Sequence, residues 1–496
     1  MATTPAVAPA IKRREMGVIR LLTTFPFAIG SLLTVGVFAT IRDLLPDPDI
    51  FWHLRDGQYV VNHLQLVSSE MYSFTVAGSP WVSHEWLSEV LYYGAYRAFG
   101  WQGVLVLYTG LMIAIILIVY WLARREGADP LVAAMAAALG KLLLGVGAGP
   151  RMQHFGWLCF LAVFAILQKY RRERAAPLWT LPLLFCLWVN LHGGWLLGAA
   201  VCTLVVLSGL VPRDIGNVEA SPWTRNEFKK LLITGVACMA ALFVHPTGYK
   251  AMLYPFQVIF RMPLQQRFVI EWQPVNFAGT FGTYVMLAIG ITFLVAIFGK
   301  NRWRIDEVLL TLFVFYLGLT HQRLMVLAGI LLPIVLARHI GTISSYRPTE
   351  ERRRLNFAVS CLAALAIVAL FPSQRRLQAQ IDKEYPAAAV TYIRSHHING
   401  RMFNLYAWGG YLEWSLPEIK TFIDGRGDVF EFNGVLADYL QAVHPVRSKE
   451  VLDYYGINFV LINPDAQLAY LLNNTNGWRR SYQDGLSAIF ERVNQP

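Results

Sequence analysis

The sequence predicts a polytopic α-helical membrane protein of about eleven spans, followed by a smaller α/β domain outside the membrane. Three observations carry that reading. Of 496 residues, 55% are hydrophobic and only 15% are charged, where a soluble domain carries about 25% charge. Apolar runs of bilayer length recur from residue 18 to residue 372. From Ser373 onward the composition turns mixed polar, with short helix-like and strand-like runs alternating.

The first residues, Met1 to Arg14, are Ala/Pro-rich and then basic, and read as a disordered cytoplasmic N-terminus over 1–17. The run from Val18 to Ile41 is too long for a signal-peptide core and shows no clear cleavage site, so it reads as an uncleaved anchor. Further spans are predicted at 101–123, 129–148, 153–169, 177–191, 194–212, 231–245, 281–299, 305–320, 324–340 and 355–372. The membrane domain thus covers 18–372, with a long outer loop at 42–100, and the outer domain covers 373–496.

Net charge is +11. In a soluble chain this would point to nucleic acid, but here the basic residues sort by loop, as the positive-inside rule requires, and no nucleic-acid partner is expected. Arg124 and Arg125, Arg171 and Arg172, Lys229 and Lys230, Arg302 and Arg304, and Arg352 to Arg354 fall in alternate linkers. Those linkers are predicted cytoplasmic, which places the C-terminal domain outside. The five cysteines all lie in apolar segments at spacings that fit neither a zinc site nor a disulfide framework.

The predicted outer face collects the unusual polar residues. Pro46-Asp47-Pro48-Asp49 follows the first span. The proline stiffens the turn, so both carboxylates are displayed together. Such a pair suits general-base chemistry on a hydroxyl, or oxygen ligation of a divalent cation such as Mg or Mn. The plainer alternative makes Asp49 the cap of a helix over Ile50 to Leu64. That helix carries His53 and Arg55 and alternates apolar with polar residues, which suits an interfacial helix with Trp52 and Tyr59 as belt residues. Ser83-His84-Glu85-Trp86-Leu87-Ser88-Glu89 opens a second interfacial helix with Ser83 as its cap, and His84 and Glu85 are expected to face a cavity.

Further along the same face lie Arg151 and His154, His192 beside Gly193-Gly194, Arg261, Arg267 and Glu271, and His321 with Arg323. Converging arginines beside a bilayer suit a phosphate or pyrophosphate, which guanidinium grips bidentately; ordinary snorkelling to lipid headgroups is the alternative. In the C-terminal domain Asp424-Gly425-Arg426-Gly427-Asp428 reads either as a functional loop or as an internal Arg–Asp network. Strands are expected at Met402 to Tyr406, Thr421 to Asp424, Asn458 to Asn463 and Ala488 to Val493.

These features together resemble the GT-C superfamily of integral-membrane glycosyltransferases. The resemblance rests on an acidic motif just after the first span (Asp47, Asp49), helices from Phe51 and from His84, a multi-span core and a soluble C-terminal domain. The run D-P-D-x-x-W-H-L with H-E-W-L-S-E is similar to a bacterial subgroup of membrane proteins. The resemblance implies a sugar donor on polyprenyl phosphate, membrane lipids around it, and a glycan, lipid or protein acceptor, at a bacterial inner membrane. The family's catalytic acid in the first loop maps to Asp49 or Asp47. Where many members carry a second acidic residue, this chain has Arg151 and His154, which leaves metal dependence open. A non-catalytic lipid-binding scaffold or a transporter is the rival reading. A transporter would place its ionisable groups near the bilayer midplane, where only Lys141 stands out here.

Overall fold

The computed structural model describes residues 17–299, 301–344, 346–444 and 447–493. Of the tail expected over 1–17, residues 1–16 lie outside them. The helices in chain order are α1 (Val18–Leu22), α2 (Phe25–Ile41), α3 (Ile50–His63), α4 (Trp86–Arg125), α5 (Pro130–Leu143), α6 (Gln153–Glu173), α7 (Thr180–Leu191), α8 (Trp195–Ser208), α9 (Arg225–Ala241), α10 (Tyr249–Arg261), α11 (Pro263–Phe268), α12 (Thr280–Phe298), α13 (Ile305–Thr320), α14 (Met325–Ile340) and α15 (Arg353–Leu370).

Helix occupies part of every predicted span. Among the described residues, five helical stretches are long and apolar enough to cross a membrane, and α2, α7 and α8 are apolar but shorter. The first predicted span is interrupted, because Thr24 caps a new helix by accepting the Phe27 N–H. Local chemistry sets other starts in the same way. Asp129 accepts the N–H groups of Leu131 and Val132 ahead of Pro130, and Thr224 with Glu227 forms a capping box for α9. Helix α4 bends at Phe99–Gly100, where Gly100 has φ of 58°, and the apolar portion begins after that bend. The centre of the bundle is α14, nearly all of whose residues are buried, packed against α4, α5 and α13.

At one end of the bundle the short parallel strands β1 (Val218–Glu219) and β2 (Trp303–Arg304) pair. Beneath them Asp306 is bonded by Arg171 at 3.3 Å, and Glu307 by Arg338 at 2.7 Å, Arg304 at 3.2 Å and His339 at 3.2 Å. The unusual residues predicted for the outer face lie at the opposite end.

The C-terminal portion contains α16 (Gln374–Glu384), α17 (Ala387–Ser395), α18 (Gly409–Ser415), α19 (Gly427–Phe432), α20 (Val435–Val443), α21 (Ser448–Tyr454) and α22 (Gln467–Asn473) around a four-stranded sheet. Its strands are β3 (Met402–Asn404), β4 (Phe459–Ile462), β5 (Trp478–Gln483) and β6 (Ala488–Arg492), in the order β3-β4-β6-β5. Only β3 and β4 are parallel. Every residue of β3 and β4 is buried, as strands covered on both faces require. The strand expected at Thr421 to Asp424 does not form. Thr421 makes a single bridge to Ser73 of the long loop, and Asn404 takes the Phe422 N–H at 2.8 Å. Strand β5, W-R-R-S-Y-Q, is mostly polar and does not alternate, and the sequence reading does not predict it.

Two other expectations change. Helix α3 is no surface helix: Ile50, Phe51, Trp52, His53, Leu54 and Asp56 are all buried. Trp52 is therefore not a belt residue. It packs, with Trp81, into the hydrophobic cluster of Phe403, Phe422 and Phe430 in the C-terminal domain. The long loop and the C-terminal domain thus share a core. Phe422 O accepts the Thr75 hydroxyl at 2.7 Å, and the Glu431 carboxylate accepts the Leu264 and Gln265 N–H groups at 2.7 and 2.8 Å.

Candidate active site

The site forms where the ends of five helices meet the C-terminal domain. The D-P-D turn enters α3. Asp49 caps nothing with its side chain, which removes the plain capping alternative. Its Oδ1 instead accepts the Trp52 indole N–H at 3.2 Å. Asp47 is fully engaged: Oδ1 accepts the Asp49 N–H at 3.1 Å and Oδ2 accepts Arg151 Nε at 2.7 Å. One member of the acidic pair is therefore already paired with an arginine.

Arg151 is held on its other side by Glu271, whose carboxylate lies 2.6 Å from Nη1. Arg323 approaches the same carboxylate only to 3.7 Å, lies over the Trp272 ring at 5.3 Å, and keeps about a third of its side chain exposed. Asp47, Asp49, Arg151, Glu271 and Arg323, remote in sequence, thus stand in one cluster. Burial, then the neighbouring Asp47 charge, push the Asp49 carboxyl up to about 6.

A second cluster adjoins the first. Ser83 does not cap α4; the helix begins after Glu85, and the Ser83 hydroxyl donates to Glu89 at 3.3 Å. His53 reaches from α3 to Glu89 at 3.1 Å and to within 3.6 Å of Glu85. His192 approaches Glu85 at 3.2 Å and His84 approaches it at 3.7 Å. His84 also stacks on Tyr254 at 3.7 Å. Burial pushes Glu85 up to about 8 and lowers the three histidines, His84 to about 4, so the imidazoles are neutral.

The C-terminal domain closes the site. A Cβ on Gly425 would collide with Asp49 Oδ1, so only glycine lets this loop lie against the carboxylate. Next to it Arg426 is buried among Glu70, Glu413 and Asp424, bonding Glu70 at 2.7 Å, Glu413 at 3.2 Å and Asp424 through Nε at 2.9 Å. The internal Arg–Asp network is thus the observed one, and it ties the domain to the long loop through Glu70. Asp428 lies near enough to raise Glu85, and its own carboxyl is pushed up to about 6 by burial.

Other expected site residues stand apart. Arg55 bonds Gln58 at 2.8 Å, Arg261 lies over the Phe432 ring at 5.2 Å, and Arg267 is exposed without an ion pair. Long flexible side chains on α3, α10 and α11 find their own partners or water rather than the cluster. His154 is buried and bonds the Gly147 carbonyl at 2.8 Å, shaping the loop that carries Arg151. His321 packs edge-on to Trp272. Sequence reading missed Glu89, Asp56, Glu70 and Tyr254. The four-residue spacing of Glu85 and Glu89, and of Asp49 and His53, was the available signal, since helical neighbours share a face.

The fold is that of a helical membrane protein with a C-terminal sheet domain, and it is shared with solved membrane glycosyltransferases of the GT-C type. The apo crystal structure of the Archaeoglobus fulgidus oligosaccharyltransferase aligns over 95% of this chain and 74% of that one, with TM-score 0.52 and 11% identity. The oligosaccharyltransferase AglB from the same organism, in complex with an inhibitory peptide and a dolichol-phosphate, aligns over 94% and 74%, with TM-score 0.53 and 11% identity. Apo ArnT from Cupriavidus metallidurans aligns over 93% and 97%, with TM-score 0.52 and 14% identity. No family model and no curated protein sequence matches the chain.

Proposed function

We propose that this protein is a membrane glycosyltransferase that moves a sugar from a polyprenyl-phosphate carrier to an acceptor hydroxyl outside the cytoplasm, in a bacterial inner membrane crossed by about eleven helices. The observation that carries the proposal is the juxtaposition of Asp49, a carboxylate without an ionic partner of its own, with the half-free Arg323 in one cluster at a single end of the bundle. The complexed AglB structure, with its dolichol-phosphate and peptide, supports a lipid-linked donor and a separate acceptor.

The chain's own residues divide the work. Asp49 accepts the proton of the attacking hydroxyl, and its raised pKa makes it a better base than an ordinary aspartate while leaving it ionised at neutral pH. Arg323 holds the leaving phosphate, since its guanidinium is the less saturated of the two beside Glu271. Arg151, locked between Asp47 and Glu271, positions the D-P-D turn. The 373–496 domain presents the acceptor across the Gly425 loop.

Mass spectrometry of lipids that copurify from native membranes tests the reading. A polyprenyl phosphate or its glycosylated form, enriched with the wild type and depleted with an Arg323→Ala variant, is expected. Bulk phospholipid alone in both samples would refute the donor site. Retained function in cells with Asp49→Asn would favour a lipid-binding scaffold over an enzyme.

A further inference from the structure

We propose that His53, Glu85 and Glu89 bind one divalent first-row metal ion of the zinc or manganese kind. Candidate ligand atoms of these three buried residues all lie within 4.8 Å of one another. Glu85 and Glu89 stand one helical turn apart at the start of α4, so both carboxylates face α3, from which His53 enters.

Three features separate this cluster from an ordinary buried hydrogen-bond network. The first is a missing charge. Among the described residues, no lysine or arginine pairs with Glu85 or Glu89; their ionic partners are all histidines. Two carboxylates buried without a cation either hold a proton or bind a metal ion, and a divalent ion would take the place of the protons. The second is the unused nitrogen of His53. Nδ1 lies 3.1 Å from Glu89, whereas Nε2 stands 3.6 Å from Glu85 Oε2, beyond hydrogen-bond length. A neutral imidazole carries one proton, so one lone pair faces a carboxylate oxygen. A carboxyl proton or a metal cation between them relieves that arrangement, and the convergence of three ligand atoms suits the cation.

The third is an outer set of hydrogen bonds. His192 Nδ1 accepts the Gly194 N–H at 2.8 Å, which places its proton on Nε2, and Nε2 lies 3.2 Å from Glu85 Oε1. Ser83 donates to Glu89 Oε2 at 3.3 Å. Glu89 is thus held from behind by a hydrogen bond, as ligating carboxylates are, and an imidazole approaches Glu85. One nitrogen and two oxygen donors suit zinc or manganese and disfavour Cu(I). His84 is not needed: its Nδ1 bonds the Val82 carbonyl at 3.1 Å. The bound ion would clamp α3 to α4 beside the Asp49 cluster.

This inference does not rest on the glycosyltransferase reading, and its test reads metal rather than sugar transfer. The full-length protein is purified in detergent, stripped with EDTA, and titrated with Mn2+ by electron paramagnetic resonance. Zn2+ competition and metal content by plasma mass spectrometry accompany the titration. One ion per chain is expected for wild type and for Asp47→Asn. At least a tenfold loss of affinity is expected in Glu85→Gln, in Glu89→Gln and in His53→Gln, each checked for monodisperse elution. Wild type that takes up no stoichiometric ion overturns the proposal. So does retention by both glutamine variants at Glu85 and Glu89 with loss in Asp47→Asn, which would move the ion to the acidic turn.

Discussion

The two ends of the helical bundle differ in how many of their buried carboxylates meet a cationic side chain. At the end carrying β1 and β2, Asp306 and Glu307 meet Arg171, Arg304, Arg338 and His339, and cationic partners outnumber the acids. At the other end Asp49, Glu85 and Glu89 have no arginine or lysine partner among the described residues, and their neighbours are neutral imidazoles and an indole. Saturated charge serves architecture, since breaking such a pair leaves an unpaired buried ion. Unsaturated charge costs stability, and proteins retain that cost chiefly where ligands bind or react.

Four experiments can break or sharpen this contrast. The largest effect is expected from Asp49→Asn. If Asp49 is the base, transfer measured with a labelled lipid-linked donor falls by about 10²–10⁴-fold, while thermal unfolding in detergent is unchanged or moves upward. A variant that loses stability instead would make Asp49 a structural residue like Glu307.

Glu307→Ala is expected to do the reverse. It strips Arg338 and His339 of their shared partner and should cost about 3 kcal/mol or more, read as a lower unfolding temperature, with the remaining folded protein still turning over. Equal loss of activity per folded molecule would show that the two ends are not separable.

Arg323→Ala should weaken donor use by about tenfold, a loss of roughly 1.4 kcal/mol, with most of the change in KM for the donor. Arg323→Lys should recover part of it. If neither variant alters donor dependence, the phosphate is held elsewhere.

The smallest and most diagnostic signal is in pH. Asp49 is shifted from 3.8 to about 6 in the folded state, so between those values the folded protein holds a proton that the unfolded chain has released. Stability therefore declines as pH rises through that window and levels off above it. Activity should rise through about pH 6, where the base ionises. In Asp49→Asn the stability slope over this window should flatten. Parallel rather than opposed curves would argue against Asp49 as the base.

Much of the molecule was legible in its sequence. Apolar runs of bilayer length predict helices because a backbone in hydrocarbon must satisfy its own hydrogen bonds, so position along the chain is enough. The D-P-D turn and the H-E-W-L-S-E run declared themselves as polar residues where apolar ones were expected. Their roles were less legible. Asp49 and Ser83 both looked like helix caps by local rules, but the Asp49 side chain makes no capping bond and Ser83 lies outside the cap position. The arginines could not be sorted at all from sequence, since Arg151 and Arg426 are locked by partners far away in the chain, whereas Arg261 and Arg267 are not.

The sequence by itself determined where helices lie, which loops carry charge, and that an acidic turn follows the first span. Only the tertiary structure decided which charges meet. It brought Asp47 to Arg151, turned Trp52 into the core of the C-terminal domain, and set His53 against Glu85 and Glu89, which have no arginine or lysine partner among the described residues. The physical reason is range. Hydrogen bonding along a helix is local and readable residue by residue, but ion pairing and burial depend on distances that exist only after the chain has packed.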